Sequence, residues 1–318
     1  MARVLVTRHL PAGGTDPLIE VGHEIVDRDD DLPFTPEQLC AAVRDVDAVV
    51  CLLTDRIDAA VIKAGTTDGG RLRVVANVAV GHDNIDLAAA HAANVAVCNT
   101  PGVLDETTAD IAFLLILAAT RRVSEAEADL RAQRWKGWGI NQYLGHDVHG
   151  ATLGLVGYGR IAQAVARRAD GFGISVLHHT RNDTHQPGWR ADLDAMIAEC
   201  DIVSIHVPLT DQTRMLFDAA RIARLPRHAV LINTSRGPVV DEDALIDALE
   251  SGALFGVGLD VYADESAINP RLLSAPHTAL LPHIGSASHA TRQQMARTAC
   301  TEVVAVLAGE RPNNLVEI

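Results

Sequence analysis

The chain has 318 residues, of which 48% are hydrophobic and 21% charged, and this composition is typical of a globular protein with two domains. A net charge of −14 disfavours nucleic acid and acidic membrane surfaces as partners, but it leaves room for a small anionic substrate. The five cysteines are scattered and the N-terminus lacks a signal-peptide pattern, so we expect reduced thiols and a cytoplasmic location. The apolar run at residues 111–120 is too short to cross a bilayer.

Short apolar runs alternate with helical patterns through the first hundred residues. The predicted strands cover residues 3–6, 24–26, 48–53, 72–77 and 95–98, and predicted helices cover residues 36–43 and 58–64. This alternation predicts an α/β fold with a doubly wound parallel sheet that is covered by helices on both faces. The first turn after a strand, Pro11–Gly14, lacks the glycine pattern of a dinucleotide site, so we do not expect this half to bind a cofactor.

The next segment predicts a connecting helix and then an arm. Residues 107–120 begin with a stretch that resembles a capping box, and residues 111–118 are apolar on every side, which indicates a buried helix between two domains. Residues 123–149 are polar and irregular, and they carry Trp135 and Trp138. We expect the arm to dock these two rings on another surface, such as a second subunit, and packing on the parent domain is the alternative.

A glycine-rich stretch opens the second half, where residues 154–162 read GLVGYGRIA. It follows a predicted strand at residues 152–156 and opens a helical pattern, so backbone N–H groups at a helix N-terminus would face a pyrophosphate. A purely structural glycine turn is the alternative. Further predicted strands cover residues 175–178, 202–205, 229–233, 254–259 and 279–281, and predicted helices cover residues 242–249 and 288–307. Six predicted strands, with the glycine turn directly after the first of them, predict a Rossmann dinucleotide-binding domain.

The turn after the second strand of this half indicates which dinucleotide is bound. An NAD site usually places a carboxylate there for the ribose 2′-hydroxyl, whereas residues 178–182 read HHTRN. Thr180 can hydrogen-bond a 2′-phosphate and Arg181 can pair with it, so NADP(H) is the predicted cofactor and NAD(H) the alternative. Asp183, three residues beyond Thr180, favours the alternative, and Arg181 has the simpler explanation of a solvated loop arginine.

Three residues that suit keto-acid reduction follow successive predicted strands: Arg236, Glu265 and His283. Because ligands bind beyond the carboxyl ends of parallel strands, all three can reach one crevice. A histidine can supply the proton because imidazole titrates near neutral pH, a carboxylate can orient it, and an arginine can bind the substrate carboxylate. Taken singly, each of these residues is explained more simply as a surface, turn or helix-start residue. Because all three follow a dinucleotide fingerprint in the same half of the chain, the set predicts a dehydrogenase.

Several longer motifs along the chain resemble the D-isomer-specific 2-hydroxyacid dehydrogenase family, and most closely its glyoxylate/hydroxypyruvate reductase branch. They occur in the family's order and cover nearly the whole chain: residues 77–86 (NVAVGHDNID), 99–104 (NTPGVL), 154–162, 206–210 (HVPLT) and the three strand-end segments. The chain departs from the family pattern at Ser266, where a proline usually follows the glutamate, and at Ala162, the third fingerprint glycine. Neither departure removes a catalytic group.

The resemblance implies a role for each matching residue. Arg236 would bind and polarise the substrate, His283 would donate the proton and Glu265 would be its partner. The substrate would also contact Leu53, the backbone of Val80 and Gly81, and Trp138. The cofactor would be surrounded by Gly157, Tyr158, Gly159, Arg160, Ile161, Thr180, Arg181, Asn182, Val207, Pro208, Thr234, Ser235, Arg236, Asp260, His283 and Gly285.

The resemblance also implies two doubly wound domains and a homodimer whose interface includes the arm. Residues 1–100 and 286–318 would form a flavodoxin-like substrate domain, and residues 101–285 the Rossmann domain. We therefore expect an NADPH-preferring reductase of glyoxylate and hydroxypyruvate. The alternatives are a bulkier 2-keto acid, 2-ketogluconate or phosphite as substrate, and a dinucleotide-sensing co-repressor. No metal site is predicted, because no acidic or cysteine partner completes a recognised spacing with His178, His179 and His185.

Overall fold

The computed structural model describes residues 1–27 and 31–317. The chain divides into two compact units, one formed by Met1–Leu104 with Ala287–Ile318 and the other by Asp105–Ser286. Both are built from parallel strands alternating with helices, so the predicted α/β class is confirmed. No helix in the described ranges is long and apolar enough to cross a membrane.

The first unit contains a five-stranded parallel sheet in the order β2-β1-β3-β4-β5. Its strands are β1 (Arg3–Val6), β2 (Glu24–Val26), β3 (Ala48–Cys51), β4 (Val74–Asn77) and β5 (Ala96–Cys98). Its helices are α1 (Asp16–Glu20), α2 (Pro36–Ala42), α3 (Ala59–Thr66), α4 (Leu87–Ala92) and α12 (His289–Ala308), with a 3₁₀ turn at Val43–Asp45. Side-chain caps start several of the helices; for example, Thr35 and Gln38 form a reciprocal capping box at α2.

Three predicted strand ends in this unit were wrong: β5 begins one residue later than predicted, at Ala96, and at two other ends a local hydrogen bond redirects the chain. Strand β3 stops at Cys51 rather than residue 53, since the Asp55 carboxylate accepts the Leu52 N–H at 2.8 Å and turns the backbone. Strand β4 begins at Val74 rather than residue 72, because the Leu72 N–H donates to a carbonyl at the end of α3.

The C-terminal segment belongs to the first unit because α12 packs on its sheet and on α1. The guanidinium of Arg73 donates to the carbonyls of Val306 and Leu307 at the C-terminal end of α12. These two bonds join residues 233 and 234 positions apart in the chain, which no local pattern specifies. Glu302 is 2% exposed, and its carboxylate accepts hydrogen bonds from Asn313 and Asn314 that turn the chain after the helix.

The second unit contains a six-stranded parallel sheet in the order β11-β10-β9-β8-β6-β7. Its strands are β6 (Thr152–Val156), β7 (Ser175–His179), β8 (Ile202–Ile205), β9 (Val230–Asn233), β10 (Gly256–Leu259) and β11 (Thr278–Leu280). Its helices are α5 (Asp105–Thr120), α6 (Val123–Arg131), α7 (Arg160–Gly171), α8 (Leu193–Ala198), α9 (Ala219–Ile222), α10 (Glu242–Glu250) and α11 (Pro270–Ser274), with a 3₁₀ turn at Gly237–Val239. The chain passes from β7 to β8 across β6, so the strand order reverses beside the glycine turn that follows β6.

The connecting helix and the arm differ from the predictions. Helix α5 begins at Asp105, two residues before the expected capping box, and Leu114 is 49% exposed, so the helix is not buried on every side. The arm was expected to be irregular, but it begins with helix α6, none of whose residues is buried. Trp135 and Trp138 are 45% and 79% exposed within their own unit, so neither ring is buried there.

Candidate active site

The glycine turn after β6 is a cradle made of backbone. Gly157 adopts φ +90°, and a Cβ on it would lie 2.6 Å from the carbonyl oxygen of His206. Gly159 precedes α7 without any side-chain cap, and a Cβ built on it would have no neighbour within 4 Å. In the described ranges the N-terminus of this twelve-residue helix thus has no side-chain cap and open space at Gly159, an arrangement that fits a pyrophosphate.

Packing beneath the turn holds it in place. Strand residue Gly154 faces Cys200, whose sulfur would lie 2.6 Å from an added Cβ, so this glycine allows β6 and the chain after α8 to pack closely. The ring of Tyr158 stacks on the buried imidazole of His178, with ring centroids 3.7 Å apart. Burial lowers the pKa of His178, so the imidazole is uncharged at neutral pH and tolerates this contact.

The loop after β8 forms the next wall of this region. The side chain of His206 hydrogen-bonds the Ser204 hydroxyl at 2.9 Å, and burial lowers the pKa of His206 to about 4. Val207 packs on the core of the unit, and the Pro208 carbonyl accepts a hydrogen bond from Thr213 at 2.6 Å. The loop that carries the predicted cofactor residues Val207 and Pro208 is therefore anchored by its own hydrogen bonds.

The turn after β7 places the residues predicted to choose between dinucleotides. The Thr180 hydroxyl donates to the Asn182 carbonyl at 2.6 Å, which closes the turn, and Arg181 is exposed. One Asp183 oxygen accepts the His185 N–H at 2.7 Å and the other lies 3.5 Å from the His185 imidazole. The carboxylate that favoured NAD(H) is therefore bound within its own turn, while the guanidinium at 181 is presented to solvent.

His283 and Glu265 are in direct contact at the carboxyl ends of neighbouring strands. The imidazole Nδ1 lies 2.8 and 3.0 Å from the two carboxylate oxygens of Glu265, and the two side chains are 26% and 36% exposed. Since a carboxylate only accepts, Nδ1 carries the proton of this bond. The second ring nitrogen, Nε2, is left to exchange a proton with a ligand.

Asp260 holds the backbone of the histidine turn. His283 has φ +53°, a left-handed conformation that costs a non-glycine residue about 1–2 kcal/mol. The Asp260 carboxylate, 1% exposed, accepts the N–H groups of Ile284 and Gly285 at 2.7 Å each. Burial is the largest influence on the pKa of Asp260 and raises it, while these two hydrogen bonds oppose the rise. A residue predicted to contact the cofactor thus also orients the backbone that carries His283.

Tyr262 contacts the loops after β9 and β11 from its own loop after β10. Its hydroxyl donates to the Leu281 carbonyl at 2.8 Å, two residues before His283. A Cβ on Gly237, directly after Arg236, would lie 1.9 Å from the backbone of Tyr262, so only glycine fits where these loops cross. Burial raises the pKa of Tyr262 to about 12, and the phenol therefore stays a neutral donor at working pH.

Arg236 stands on a turn that is organised by Asn233, the last residue of β9. The Asn233 side chain donates to the Arg236 carbonyl at 2.9 Å and accepts from the backbone and the hydroxyl of Ser235 at 3.0 and 2.8 Å. The Thr234 hydroxyl is buried and has no partner within the described ranges. A buried hydroxyl without a partner can hydrogen-bond a polar group of a bound ligand. This agrees with the prediction that Thr234 contacts the cofactor.

In the first unit, two asparagine side chains organise the backbone of Val80 and Gly81. The Asn99 amide donates to the Val80 carbonyl at 2.7 Å, and the Asn77 amide donates to the Gly81 carbonyl at 2.8 Å. With both carbonyls engaged, the N–H groups of Val80 and Gly81 have no acceptor among residues 1–27 and 31–317. Successive free N–H groups form a concavity that suits a carboxylate.

Leu53 is half-buried in the turn after β3 and lines a cavity of about 450 Å³ in the first unit. The other lining residues include Arg56 and the carboxylates of Asp58, Asp83 and Asp86. Three carboxylates against one guanidinium disfavour an anionic keto acid in this cavity. The cavity does not extend to Val80 or Gly81.

The structure brings together some of the predicted residues and adds others. Glu265 contacts His283, Arg236 follows the adjacent strand, and the cofactor residues lie along the carboxyl edge of the same sheet. Leu53, Val80 and Gly81 belong to the first unit. Sequence reasoning missed Tyr262 and the positioning asparagines. The available signal was an asparagine at or just after the end of a buried strand: Asn77, Asn99 and Asn233.

Comparison with known proteins identifies the family of the chain. Residues 113–285 match the family model for the NAD binding domain of D-isomer specific 2-hydroxyacid dehydrogenases. The chain is 45% identical to the glyoxylate reductase of Korarchaeum cryptofilum, over 99% of this chain and 95% of that protein. It resembles the crystal structure of the TT0316 protein from Thermus thermophilus with a TM-score of 0.92, at 42% identity over 99% of this chain and 100% of the other.

A third similar protein is the NADPH-dependent glyoxylate/hydroxypyruvate reductase of Sinorhizobium meliloti, solved in complex with NADP and malonate. Its TM-score is 0.86 at 33% identity, over 99% of this chain and 96% of the other. The fold and these matches define an NAD(P)-dependent dehydrogenase that binds a nicotinamide dinucleotide and a small keto or hydroxy acid. The chain belongs to the D-isomer-specific 2-hydroxyacid dehydrogenase family, as its motifs predict.

Proposed function

We propose that this protein is an NADPH-preferring reductase of small 2-keto acids, with glyoxylate and hydroxypyruvate as its first substrates and His283 as proton donor. The observation that carries the proposal is the contact between His283 and Glu265, on a turn clamped by Asp260. The glyoxylate reductase of K. cryptofilum and the glyoxylate/hydroxypyruvate reductase of S. meliloti support this choice of substrate.

Each residue has a defined task in this reaction. The bound cofactor supplies the hydride that reduces the keto carbon. Glu265 accepts a hydrogen bond from Nδ1 of His283, which orients the ring so that Nε2 can protonate the developing alkoxide. The Arg236 guanidinium binds the substrate carboxylate through charge-assisted hydrogen bonds and polarises the adjacent carbonyl.

The remaining substrate contacts are proposed from the family pattern and from the local hydrogen bonds. The N–H groups of Val80 and Gly81 bind the substrate carboxylate. By the family pattern Leu53 forms a side wall of the substrate pocket, which is not the acidic cavity that Leu53 also lines. Residues 1–100 and 286–318 act as the substrate domain, and residues 101–285 act as the dinucleotide-binding domain. A small acid is favoured over 2-ketogluconate because two of the relatives named above are a glyoxylate reductase and a glyoxylate/hydroxypyruvate reductase.

The preference for NADPH rests on the turn after β7. Arg181 is exposed, and the only carboxylate in the turn, Asp183, is bound to His185. A 2′-phosphate would therefore meet a guanidinium, and a ribose 2′-hydroxyl would find no free carboxylate. The relative solved with NADP supports this choice.

We also propose a homodimer whose interface includes the arm. Trp138 and Ile140 are 79% and 70% exposed, and Leu144 is 59% exposed, so the arm presents apolar surface that a second copy can cover. Trp138 is proposed to contact substrate in that assembly. Sedimentation of the wild-type chain tests the dimer, and a monomer at micromolar concentration would contradict it.

The deciding experiment is a panel of keto acids assayed by oxidation of NADPH and of NADH. We expect the highest kcat/KM with NADPH and glyoxylate or hydroxypyruvate. His283→Ala should lower kcat by about 10²–10⁴-fold, the range for loss of a general acid. Glu265→Gln should lower kcat less, since the amide oxygen can still accept the Nδ1 hydrogen bond but carries no charge. Unchanged kcat in His283→Ala, or no turnover of any acid in the panel, would refute the proposal.

A further inference from the structure

A hydrogen bond joins the two loops that flank the glycine turn. The Arg181 Nη1 donates to the side-chain oxygen of Gln212 at 2.9 Å, from the turn after β7 to the loop after β8. Strand β6 lies between β7 and β8, so this contact crosses beside the carboxyl end of β6. It links residues 31 positions apart in the chain.

The loop that carries Gln212 is a rigid support. The Thr213 hydroxyl donates to the Pro208 carbonyl at 2.6 Å and accepts the Thr210 N–H at 2.8 Å. The N–H groups of Thr213 and Arg214 close the same turn onto the Thr210 carbonyl. None of these bonds uses the side chain of Gln212, so its amide can be changed without removing the turn.

Arg181 pairs with a neutral amide although acidic side chains are close in the chain. Among the described residues, no carboxylate lies within salt-bridge distance of Arg181, although Asp183 and Asp211 are neighbours of the two contacting residues in sequence. The amide oxygen of Gln212 restricts the orientation of the Arg181 guanidinium but does not neutralise its positive charge.

We propose that Gln212 is a specificity-determining residue for the 2′-phosphate of the cofactor, because it positions the Arg181 guanidinium. This inference rests on the proposed preference for NADPH and adds the residue that enforces it. A guanidinium already held in place loses less side-chain entropy when the phosphate binds. A glutamate at position 212 would instead pair with Arg181 and repel the phosphate.

The test measures binding of adenosine 2′,5′-bisphosphate and adenosine 5′-monophosphate by calorimetry, in the full-length protein and without turnover. These probes differ only in the 2′-phosphate. We expect Gln212→Ala to weaken bisphosphate binding about fivefold, the effect of losing one hydrogen bond of typical net strength, and to leave monophosphate binding within about twofold. Gln212→Glu should weaken bisphosphate binding more than tenfold. Gln294→Ala, an exposed glutamine on α12, is the matched control.

The double variant Arg181→Ala/Gln212→Ala shows whether Gln212 acts through Arg181. We expect it to bind the bisphosphate no more weakly than Arg181→Ala alone, because the positioned group is already absent. Additive losses would overturn the positioning role. Equal weakening of both probes by Gln212→Ala would also overturn it, as a sign of general loop disruption.

The same data separate this inference from the proposed cofactor preference. If Arg181→Ala weakens the bisphosphate and Gln212→Ala does not, the role of Gln212 is wrong and the NADPH preference stands. If the wild-type protein binds both probes equally and Arg181→Ala changes neither, the preference for NADPH is itself wrong, and the role of Gln212 fails with it.

Discussion

Replacing Gly157 with alanine tests the backbone cradle, because two independent penalties meet at this residue. The φ of +90° disfavours any L side chain, which costs about 1–2 kcal/mol. The new Cβ would lie 2.6 Å from the His206 carbonyl oxygen and 2.9 Å from its carbon. These are backbone atoms, which cannot swing aside, and overpacking of this kind costs about 1–3 kcal/mol. We expect Gly157→Ala to lower the free energy of unfolding by about 2–5 kcal/mol.

Gly159→Ala provides the matched comparison within the same turn. Its φ is −76°, and a Cβ there would have no neighbour within 4 Å, so folding should be affected by less than about 1 kcal/mol, the range for a weaker N-cap. If a pyrophosphate occupies that space, however, the added methyl group displaces it. We therefore expect Gly159→Ala to weaken NADPH binding at least tenfold while stability stays close to that of the wild-type protein.

The assays are urea unfolding, followed by circular dichroism, and calorimetric titration with NADPH. Gly157→Ala should change both quantities, and Gly159→Ala only the second. Wild-type stability in Gly157→Ala would show that the close approach to the His206 carbonyl does not constrain the turn. Wild-type NADPH affinity in Gly159→Ala would show that the empty space in front of α7 is not the cofactor site.

Two further predictions concern the groups around this site. Because the pKa of His206 falls from its ordinary 6.5 to about 4 on folding, the unfolded chain binds the extra proton between these values. The free energy of unfolding should therefore fall by about 2 kcal/mol from about pH 7 to about pH 5. His206→Gln should flatten this pH dependence, as measured by urea unfolding at each pH. An unchanged pH dependence in the variant would contradict the lowered pKa of His206. Tyr262→Phe removes the 2.8 Å hydrogen bond to the Leu281 carbonyl, so it should lower the free energy of unfolding by about 1–2 kcal/mol and reduce kcat. The pH profile of kcat should not change, because a phenol with a pKa of about 12 does not titrate in the working range. Thermal unfolding and steady-state kinetics check this, and wild-type values for both would show that the bond does not support the histidine turn.

Much of the local structure followed from sequence patterns. The predicted strands at 3–6, 152–156 and 202–205 agree with β1, β6 and β8 at both ends. Fully buried parallel strands are continuous apolar runs with polar turns around them, so neighbours in sequence are enough to define them. Helix α6 escaped prediction for the opposite reason, since none of its side chains is buried.

The chemistry could be predicted because parallel strands bring their carboxyl ends to one edge. Arg236, Glu265 and His283 each follow a strand, so their positions in the chain were sufficient to place them at that edge. The glycine turn could be predicted for a similar reason, since strand, glycines and helix are contiguous.

Only the tertiary structure decided the contacts between segments that are distant in sequence. They include the hydrogen bonds from the Asp260 carboxylate to the His283 turn and the hydrogen bond from Arg181 to Gln212. The return of α12 to the first unit was implied by the family resemblance and not by the periodicity of the sequence. The sequence determined which residue types stand at the strand ends, because periodicity and motif spacing are local properties. It did not determine which side chains orient them, because an orienting hydrogen bond requires two loops to meet, and only the packed sheet brings those loops together.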